Sequence, residues 1–450
     1  MQPAPVVSDD DFLRRVTVDL VGRTPTLDEI DGFTGDRVAL VERLLASEDY
    51  ARHWAEVYLD IFLPRSLQGE PRFTSTPQKY LQSVFAEGHS YQRMAYELLT
   101  AAGPIHHDGA AAFLSGHSRA EEMALATAEV LLGMPEYECA QCHDHPFDAE
   151  FKQADFYALA AHFSRTQVRS YQSPTGSSTE LFDRDTGEYV VGKHEGKPNV
   201  IAPAVLGQLT EVREGESRRQ ALARAVLGSP KFAETAVRRT WSQLFGAQPG
   251  PALEEVVAHT TAEFTSRGHD LRWLMRRLVL SEAYQRSASP RGLPEDPVDV
   301  AGRMRTRALP ARTLYRSLLY ATTLTPELPH LFPRDAAEAY ERYALRELMS
   351  AEDPTSAAGN LNGALYLFVA TITQRGALAT PGGRLAWVLT ARTQPEQRLE
   401  LLYKIAYARR PTGDELRADL ELIQGSDDET AAYEDIWFSM LTSTEFLTSR

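Results

Sequence analysis

The chain has 450 residues, 43% of them hydrophobic and 24% charged, with 47 Lys+Arg against 62 Asp+Glu. That apolar share excludes a disordered or collagen-like chain, and the length points to roughly two to three domains. The net charge of −15 argues against a general nucleic-acid binder and against a polybasic membrane-surface protein, since both need a basic face.

Helical periodicity dominates the chain. Phe12, Leu13, Val16 and Leu20 recur at helical spacing, as do Tyr50, Trp54, Val57, Tyr58, Ile61 and Phe62. Further helical patterns cover 118–133, 152–163, 217–227, 231–245, 270–280, 336–349, 363–375, 396–408 and 429–441. Strand signals are scarce. The best is Glu180 to Gly192, where Asp185-Thr186-Gly187 offers a turn between Leu181-Phe182 and Tyr189-Val190-Val191, a hairpin pattern. It sits in a Gly/Pro/Ser-rich stretch, Ser170 to Gly215, and a second loop from Ser287 to Val298 holds Pro290, Pro294 and Pro297. The expected fold is mainly α: helical domains over 1–168 and 216–450, joined by a loop-rich segment, 169–215, with a short β-hairpin.

No transmembrane helix is expected. The longest uncharged stretch, Pro354 to Gln374, has an apolar heart of only Ala364 to Ala370, far short of the roughly 20 residues a span needs. The start, Met1-Gln2-Pro3-Ala4-Pro5, lacks the basic and apolar regions of a signal peptide. The chain is therefore read either as cytoplasmic or as exported with its signal absent from this sequence.

Two echoes run through the chain. Arg23-Thr24-Pro25-Thr26-Leu27-Asp28-Glu29 near the start resembles Arg410-Pro411-Thr412-Gly413-Asp414-Glu415 near the end. Each has Thr three residues before Glu, the pattern of a capping box. An apolar residue, then Ser two positions on and an aromatic three further, occurs at Leu45/Ser47/Tyr50, Leu227/Ser229/Phe232, Val279/Ser281/Tyr284 and Leu441/Ser443/Phe446. These read as helix-turn-helix corners with a scaffold role.

Both cysteines of the chain lie in one tetrapeptide, which excludes a disulfide framework. Glu138-Cys139-Ala140-Gln141-Cys142-His143-Asp144-His145-Pro146-Phe147-Asp148 contains C-x-x-C-H, the attachment signature of c-type haem. Two thiols three positions apart on one helical turn can reach the two vinyl groups of a porphyrin. A His after the second Cys then lies beneath the ring, so that its Nε2 can ligate the iron. Other chemistries stay open. A thioredoxin-like dithiol would open a helix after a strand, and no strand is evident before Glu138. Zinc held by Cys139, Cys142, His143 and His145 would be cramped within seven residues. Chance is the third.

The ten residues Cys139 to Asp148, followed by Asp155-Phe156-Tyr157-Ala158-Leu159-Ala160-Ala161, resemble the planctomycete-type cytochrome c-like domain (domain 2), a bacterial family of unknown function. Phe12-Leu13-Arg14-Arg15, the run Gly22 to Thr26, Leu44 to Ser47 and His53-Trp54 share the likeness. The C-terminal half resembles planctomycete-specific domain 1 at Trp241 to Gly246, Leu278 to Tyr284 and the region from Arg410 to Phe446. The resemblance implies an exported protein and, by analogy with cytochrome c, a covalent haem, with no established substrate. Many relatives carry an extra N-terminal cytochrome domain with its own C-x-x-C-H; the present sequence holds a single C-x-x-C-H, at Cys139 to His143.

The expected site is then one haem c on Cys139 and Cys142 with His143 as proximal ligand. His145 cannot easily ligate the opposite face: it is rotated by about 200° along a helical turn yet stays on the same side of the porphyrin. His145, Asp144 and Asp148 are expected to bond nearby backbone or to orient His143. A sixth ligand would come from elsewhere, with His106, His107, His117 or Met123 as options. Solvation for His106-His107-Asp108 and His117, and packing for His53, His162, Met123 and Met134, are the simpler readings. Asp183 and Asp185 lack EF-hand spacing. Nothing matches G-x-S-x-G, H-E-x-x-H or a P-loop. The functional expectation is electron transfer or haem-based redox chemistry with a redox partner protein, in the periplasm or cell envelope. Its alternative is a structural or binding protein whose Cys/His cluster holds zinc or no metal.

Overall fold

The computed structural model describes residues 3–67, 71–147, 152–173, 176–194, 197–288, 302–323 and 370–449. The chain is mainly α, with short strands in small sheets. Its first helices are α1 (Asp9–Val21), α2 (Leu27–Asp31), α3 (Arg37–Leu45), α4 (Glu48–Phe62), α5 (Pro71–Glu87), α6 (Tyr91–Thr100) and α7 (Ala112–Ser115). Then come α8 (Ala120–Leu132), α9 (Tyr137–Ala140), α10 (Gln153–Ala160), α11 (Arg218–Leu227), α12 (Pro230–Phe245), α13 (Glu254–Ser266) and α14 (Leu271–Val279). The last are α15 (Ala311–Thr322), α16 (Thr371–Gly376), α17 (Arg384–Ala391), α18 (Pro395–Tyr407), α19 (Gly413–Gln424), α20 (Glu429–Leu441) and α21 (Thr444–Leu447). The expected helix at 336–349 lies outside the described residues, and the one at 363–375 is described only from residue 370.

The chain forms two compact units. Unit 1 comprises Met1–Asp49, Gln243–Gly250 and Arg276–Arg450; unit 2 comprises Tyr50–Ser242 and Pro251–Met275. A division in chain order at 168 and 215 therefore does not coincide with these units, which follow long-range pairing. Within unit 1, for example, Val6 bridges Arg286, and a strand at Arg307–Ala308 pairs with one at Thr448–Ser449.

In unit 1, α1 starts where Ser8 accepts from the Asp11 amide at 3.2 Å, with Asp9, Asp10 and Asp11 in the positive first turn. Gly22, in the left-handed region at φ 67°, ends it. Both predicted capping boxes form: Thr26 with Glu29 on α2, and Thr412 with Glu415 on α19. Each box carries an arginine. Arg23 donates to Glu29 at 2.8 and 3.1 Å and to Asp49 at 2.8 Å. Arg409, rather than the Arg410 that the sequence echo aligned, donates to Glu415 at 2.8 and 2.7 Å and to Glu445 at 2.8 and 2.9 Å. Arg410 instead meets Glu400 at 3.1 Å with its side chain 74% exposed. The bond from Arg409 holds the Glu415 carboxyl down at about 2, against the smaller upward pull of burial. Burial raises Glu29, and the bond and charge of Arg23 outweigh it to lower that carboxyl.

The serine corners recur as expected. Ser443 accepts from the Phe446 amide at 3.2 Å and donates to the Met440 carbonyl at 2.8 Å; Ser281 does the same with Tyr284 and Leu278 at 3.3 and 2.6 Å. At the other two corners Ser47 donates to the Leu44 carbonyl, and Ser229 accepts from the Lys231 amide. All four aromatics, Tyr50, Phe232, Tyr284 and Phe446, are fully buried. Arg14 of α1 donates to the carbonyls of Ala406, Glu445 and Phe446, satisfying acceptors that a helix end leaves open.

Unit 2 has an aromatic core. Tyr58 lies 5.2 Å from Phe85 and 5.5 Å from Phe62 between ring centroids, Phe62 meets Phe113 at 5.6 Å, and Tyr91 stacks on Phe232 at 4.9 Å. Its main sheet has the order β1-β3-β2, all antiparallel, with β1 (Gly103–Pro104), β2 (Thr166–Ser173) and β3 (Gly176–Asp183). The expected hairpin between Leu181-Phe182 and Tyr189-Val191 does not form. Leu181 pairs instead with Val168 and Gly103, while β4 (Tyr189–His194) pairs with β5 (Lys197–Ile201). Asp185-Thr186-Gly187 is a connection, not a strand-pairing turn: Gly187, at φ 145°, accepts from Ser164 and Arg165 through its carbonyl. The β2–β3 ladder runs unbroken from Thr166↔Asp183 to Ser173↔Gly176, and that extended pairing outweighs a local turn signal. Asp183 is spent on the buried Arg219, which also donates to the Leu99 and Ala101 carbonyls at the end of α6.

Candidate functional site

The cysteine segment lies in unit 2, after α8. Gly133 ends α8 in the left-handed region at φ 65°, and Met134-Pro135 leads into α9, a single turn. Residues three apart on such a turn share a face. Tyr137 and Ala140 therefore point inward together, at 1% and 0% exposure, whereas Cys139 and Cys142 are both exposed, with neither in a disulfide. The Cys142 amide donates to the Cys139 carbonyl at 3.3 Å, continuing the turn past α9. The Tyr137 ring packs edge-on against Phe156 of α10 at 6.1 Å, and burial pushes its hydroxyl up to about 12.

Three hydrogen bonds join the segment to α10. Tyr157 Oη donates to the Gln141 carbonyl at 2.8 Å, and Gln153 Nε2 donates to that same carbonyl at 3.3 Å. The Gln153 amide donates to Asp144 Oδ1 at 2.9 Å, so a carboxylate from the loop meets a helix start that its own neighbour, Lys152, leaves without a side-chain cap.

His143 is exposed, and its Nδ1 lies 2.7 Å from the Asp144 carbonyl oxygen. A carbonyl only accepts, so that contact places a proton on Nδ1 and, in that tautomer, the lone pair on Nε2. His145 has the opposite arrangement: its Nδ1 accepts from the Phe147 amide at 3.4 Å. Phe147 itself is 94% exposed. Asp144 was expected to bond nearby backbone or to orient His143; its carboxylate accepts from the Gln153 backbone amide, and its backbone carbonyl meets the His143 ring. Asp148 lies outside the described residues.

The remaining candidates occupy other positions. His106 Nδ1 bonds Ser178 of β3 at 2.8 Å and its ring lies 4.2 Å from that of His107. Asp108 accepts from the Ala110 amide. His117 packs edge-on to Phe113, with burial lowering its pKa. Met123 and Met134 are core residues at 1% and 3% exposure. His53 packs against Trp54, as packing arguments suggest. His162 is fully buried, its Nδ1 at 3.0 Å from the Leu159 carbonyl, and burial holds it at about 4. Sequence reasoning did not single out Gln153 and Tyr157 for the site. The usable signal was their i, i+4 spacing, which presents both from one face of α10.

No helix among the described residues is long and apolar enough to cross a membrane. Among them no three His, Cys, Asp or Glu side chains are gathered to hold a metal ion. No curated protein and no solved structure is detectably similar to the chain. Residues 1–168, which include the whole cysteine segment, match the family model PSCyt2, described as a protein of unknown function (DUF1549).

Proposed function

We propose that Cys139 and Cys142 carry one haem c through thioethers, that His143 is its proximal iron ligand, and that the protein serves electron transfer or haem-based redox chemistry in the cell envelope. The observation that carries this reading is that Cys139 and Cys142, three residues apart on one short turn, are both exposed, while the exposed His143 that follows has its Nδ1 engaged by a carbonyl and its Nε2 left for a ligand. The donor set fits the group: two accessible thiols for the vinyl carbons and an imidazole whose other nitrogen is held by a carbonyl, the usual way a ligating His is oriented. When bound, the haem supplies a one-electron couple that no side chain of this segment offers. Cys139 and Cys142 anchor it, the Asp144 carbonyl keeps the His143 ring in the required tautomer, and the exposed Phe147 offers apolar surface.

Thioether formation on haem c takes place outside the cytoplasm, which is the reason for assigning the cell envelope and a redox partner protein there. The zinc alternative asks Cys139, Cys142, His143 and His145 to converge, and their side chains are not gathered in that way. The test is expression with export and a haem c maturation system, followed by a denaturing gel stained for haem peroxidase activity. A band at the mass of the chain, abolished by Cys139→Ser with Cys142→Ser, is the expected result. A colourless exported protein that binds zinc would replace this reading with the alternative. His143→Ala should alter the ferric spectrum strongly, whereas His145→Ala should keep the ligand set.

A further inference from the structure

A four-residue helix has almost no stability of its own, because nucleation is unfavourable and one turn gains little by propagation. The turn that carries the two exposed thiols therefore cannot be held by α9 alone. The Gln141 carbonyl, lying in sequence between Cys139 and Cys142, is a terminal acceptor of that turn and takes both side-chain donors from α10, Tyr157 and Gln153. Asp144, on the other side of Cys142 and His143, is held by the Gln153 amide. Cys142 and His143 are thus bracketed by bonds to a single helix, and Cys139 lies two residues before the first of them.

That helix is braced in turn. The Tyr157 ring lies 6.1 Å from the ring of Tyr189 on β4, and Tyr189 Oη donates to Glu121 of α8 at 2.5 Å. Burial, reinforced by the bond to Glu121, keeps the Tyr189 hydroxyl protonated well above its ordinary range, so it remains a donor. The line Glu121–Tyr189–Tyr157–Gln141 ties the thiol turn to α8, the helix that precedes it in the chain.

We propose that Tyr157 and Gln153 are positioning residues that hold the Cys139–Cys142 turn in the spacing a doubly attached haem requires, with Tyr189 and Glu121 bracing Tyr157. The attachment part of this proposal rests on the haem reading above; the tethering part does not. A loosened turn presents one thiol correctly and lets the other wander, so its characteristic fault is a single thioether.

The experiment has two arms on the full chain. In the first, hydrogen exchange is followed by mass spectrometry over residues 138–144 in haem-free protein. Loss of one net hydrogen bond in Tyr157→Phe should accelerate exchange there about fivefold, and adding Gln153→Ala should bring it to roughly twentyfold or more. Exchange in α18 should stay unchanged, which separates tethering from general destabilisation. In the second arm, the same variants are matured with haem and their pyridine haemochrome spectra recorded. The α band should move to longer wavelength, the signature of a single thioether, and restoring Tyr157 should restore it. Unchanged exchange at 138–144 in both variants would overturn the tethering. Faster exchange with full double attachment would overturn the claim that the tether governs haem spacing. Faster exchange in a protein whose wild type never stains for haem would uphold the tether and remove the haem reading alone.

Discussion

Unit 1 builds its corners from arginine–carboxylate clusters, whereas unit 2 buries imidazoles, among them His53, His162 and His269. In unit 1, Arg23 and Arg409 each sit between two carboxylates beside a capping box. In unit 2, His117, His162 and His269 all have pKa values lowered by burial. The difference teaches that acid should reach the two units in different windows. A buried neutral histidine resists protonation, and a paired carboxylate resists it at much lower pH.

The largest expected effect belongs to His162. Its folded value of about 4 lies below the ordinary 6.5, so the unfolded state binds more protons between those limits and stability falls as pH drops from 6.5 towards 4. At about 1.4 kcal/mol per pH unit the full difference is about 3 kcal/mol. Hydrogen exchange of α10 in His162→Leu should lose most of that pH dependence, while exchange of α18 in unit 1 should not respond to the substitution. Equal acid sensitivity of both helices between pH 6.5 and 4 would break the comparison.

Arg409→Met should destabilise unit 1 by about 2 kcal/mol, discounted for the partial exposure of its partners, because Glu415 and Glu445 lose a shared guanidinium. Urea unfolding at neutral pH measures this. The folded Glu415 value of about 2 lies below the ordinary 4.5, so its contribution is complete above 4.5 and disappears as pH falls from there towards 2. Glu415→Gln should flatten that limb and leave the histidine window of unit 2 intact.

Thr412→Ala should cost about 1 kcal/mol through the lost cap, and Thr26→Ala a similar amount, both read as lowered melting temperatures. The smallest change is a gain. Gly22 and Ala408 occupy equivalent helix ends at φ 67° and 61°, but only glycine adopts that conformation without strain. Ala408→Gly should raise stability by about 0.5 kcal/mol, the relief of strain being partly offset by a freer unfolded chain. No gain, or a loss, would mean that the alanine methyl makes a packing contribution at this end.

Legibility followed the strength of local signals. The periodic helices α8, α10, α11, α12, α18 and α20 appear close to their predicted limits, since each has a continuous apolar stripe and a clear stop. Helix α5 was not legible because Pro77 lies inside it and interrupts the pattern. In α13 the apolar stripe is weak: Val257 and Phe264 are buried while Val256 is 46% exposed. The repeated corner was visible as a motif, but the arginine that clamps its glutamate, Arg409, lies one residue outside the echoed run that began at Arg410. Which of two adjacent arginines turns inward depends on the left-handed cap at Ala408 and on where Glu445 arrives.

By itself the sequence determined a mainly helical chain, its capping boxes and serine corners, and the grouping of both thiols with His143 in one short segment. These depend on contacts within a few residues, where spacing alone decides which groups can meet. Tertiary structure alone decided the β2–β3 pairing, the discontinuous units, and the hold of Tyr157 and Gln153 on Gln141. Each depends on groups brought together from separate segments, and their relative position is set by burying apolar faces and satisfying backbone acceptors. A local pattern cannot encode which distant donor will arrive at the Gln141 carbonyl, because that is settled only when α10 packs against Tyr137 through Phe156.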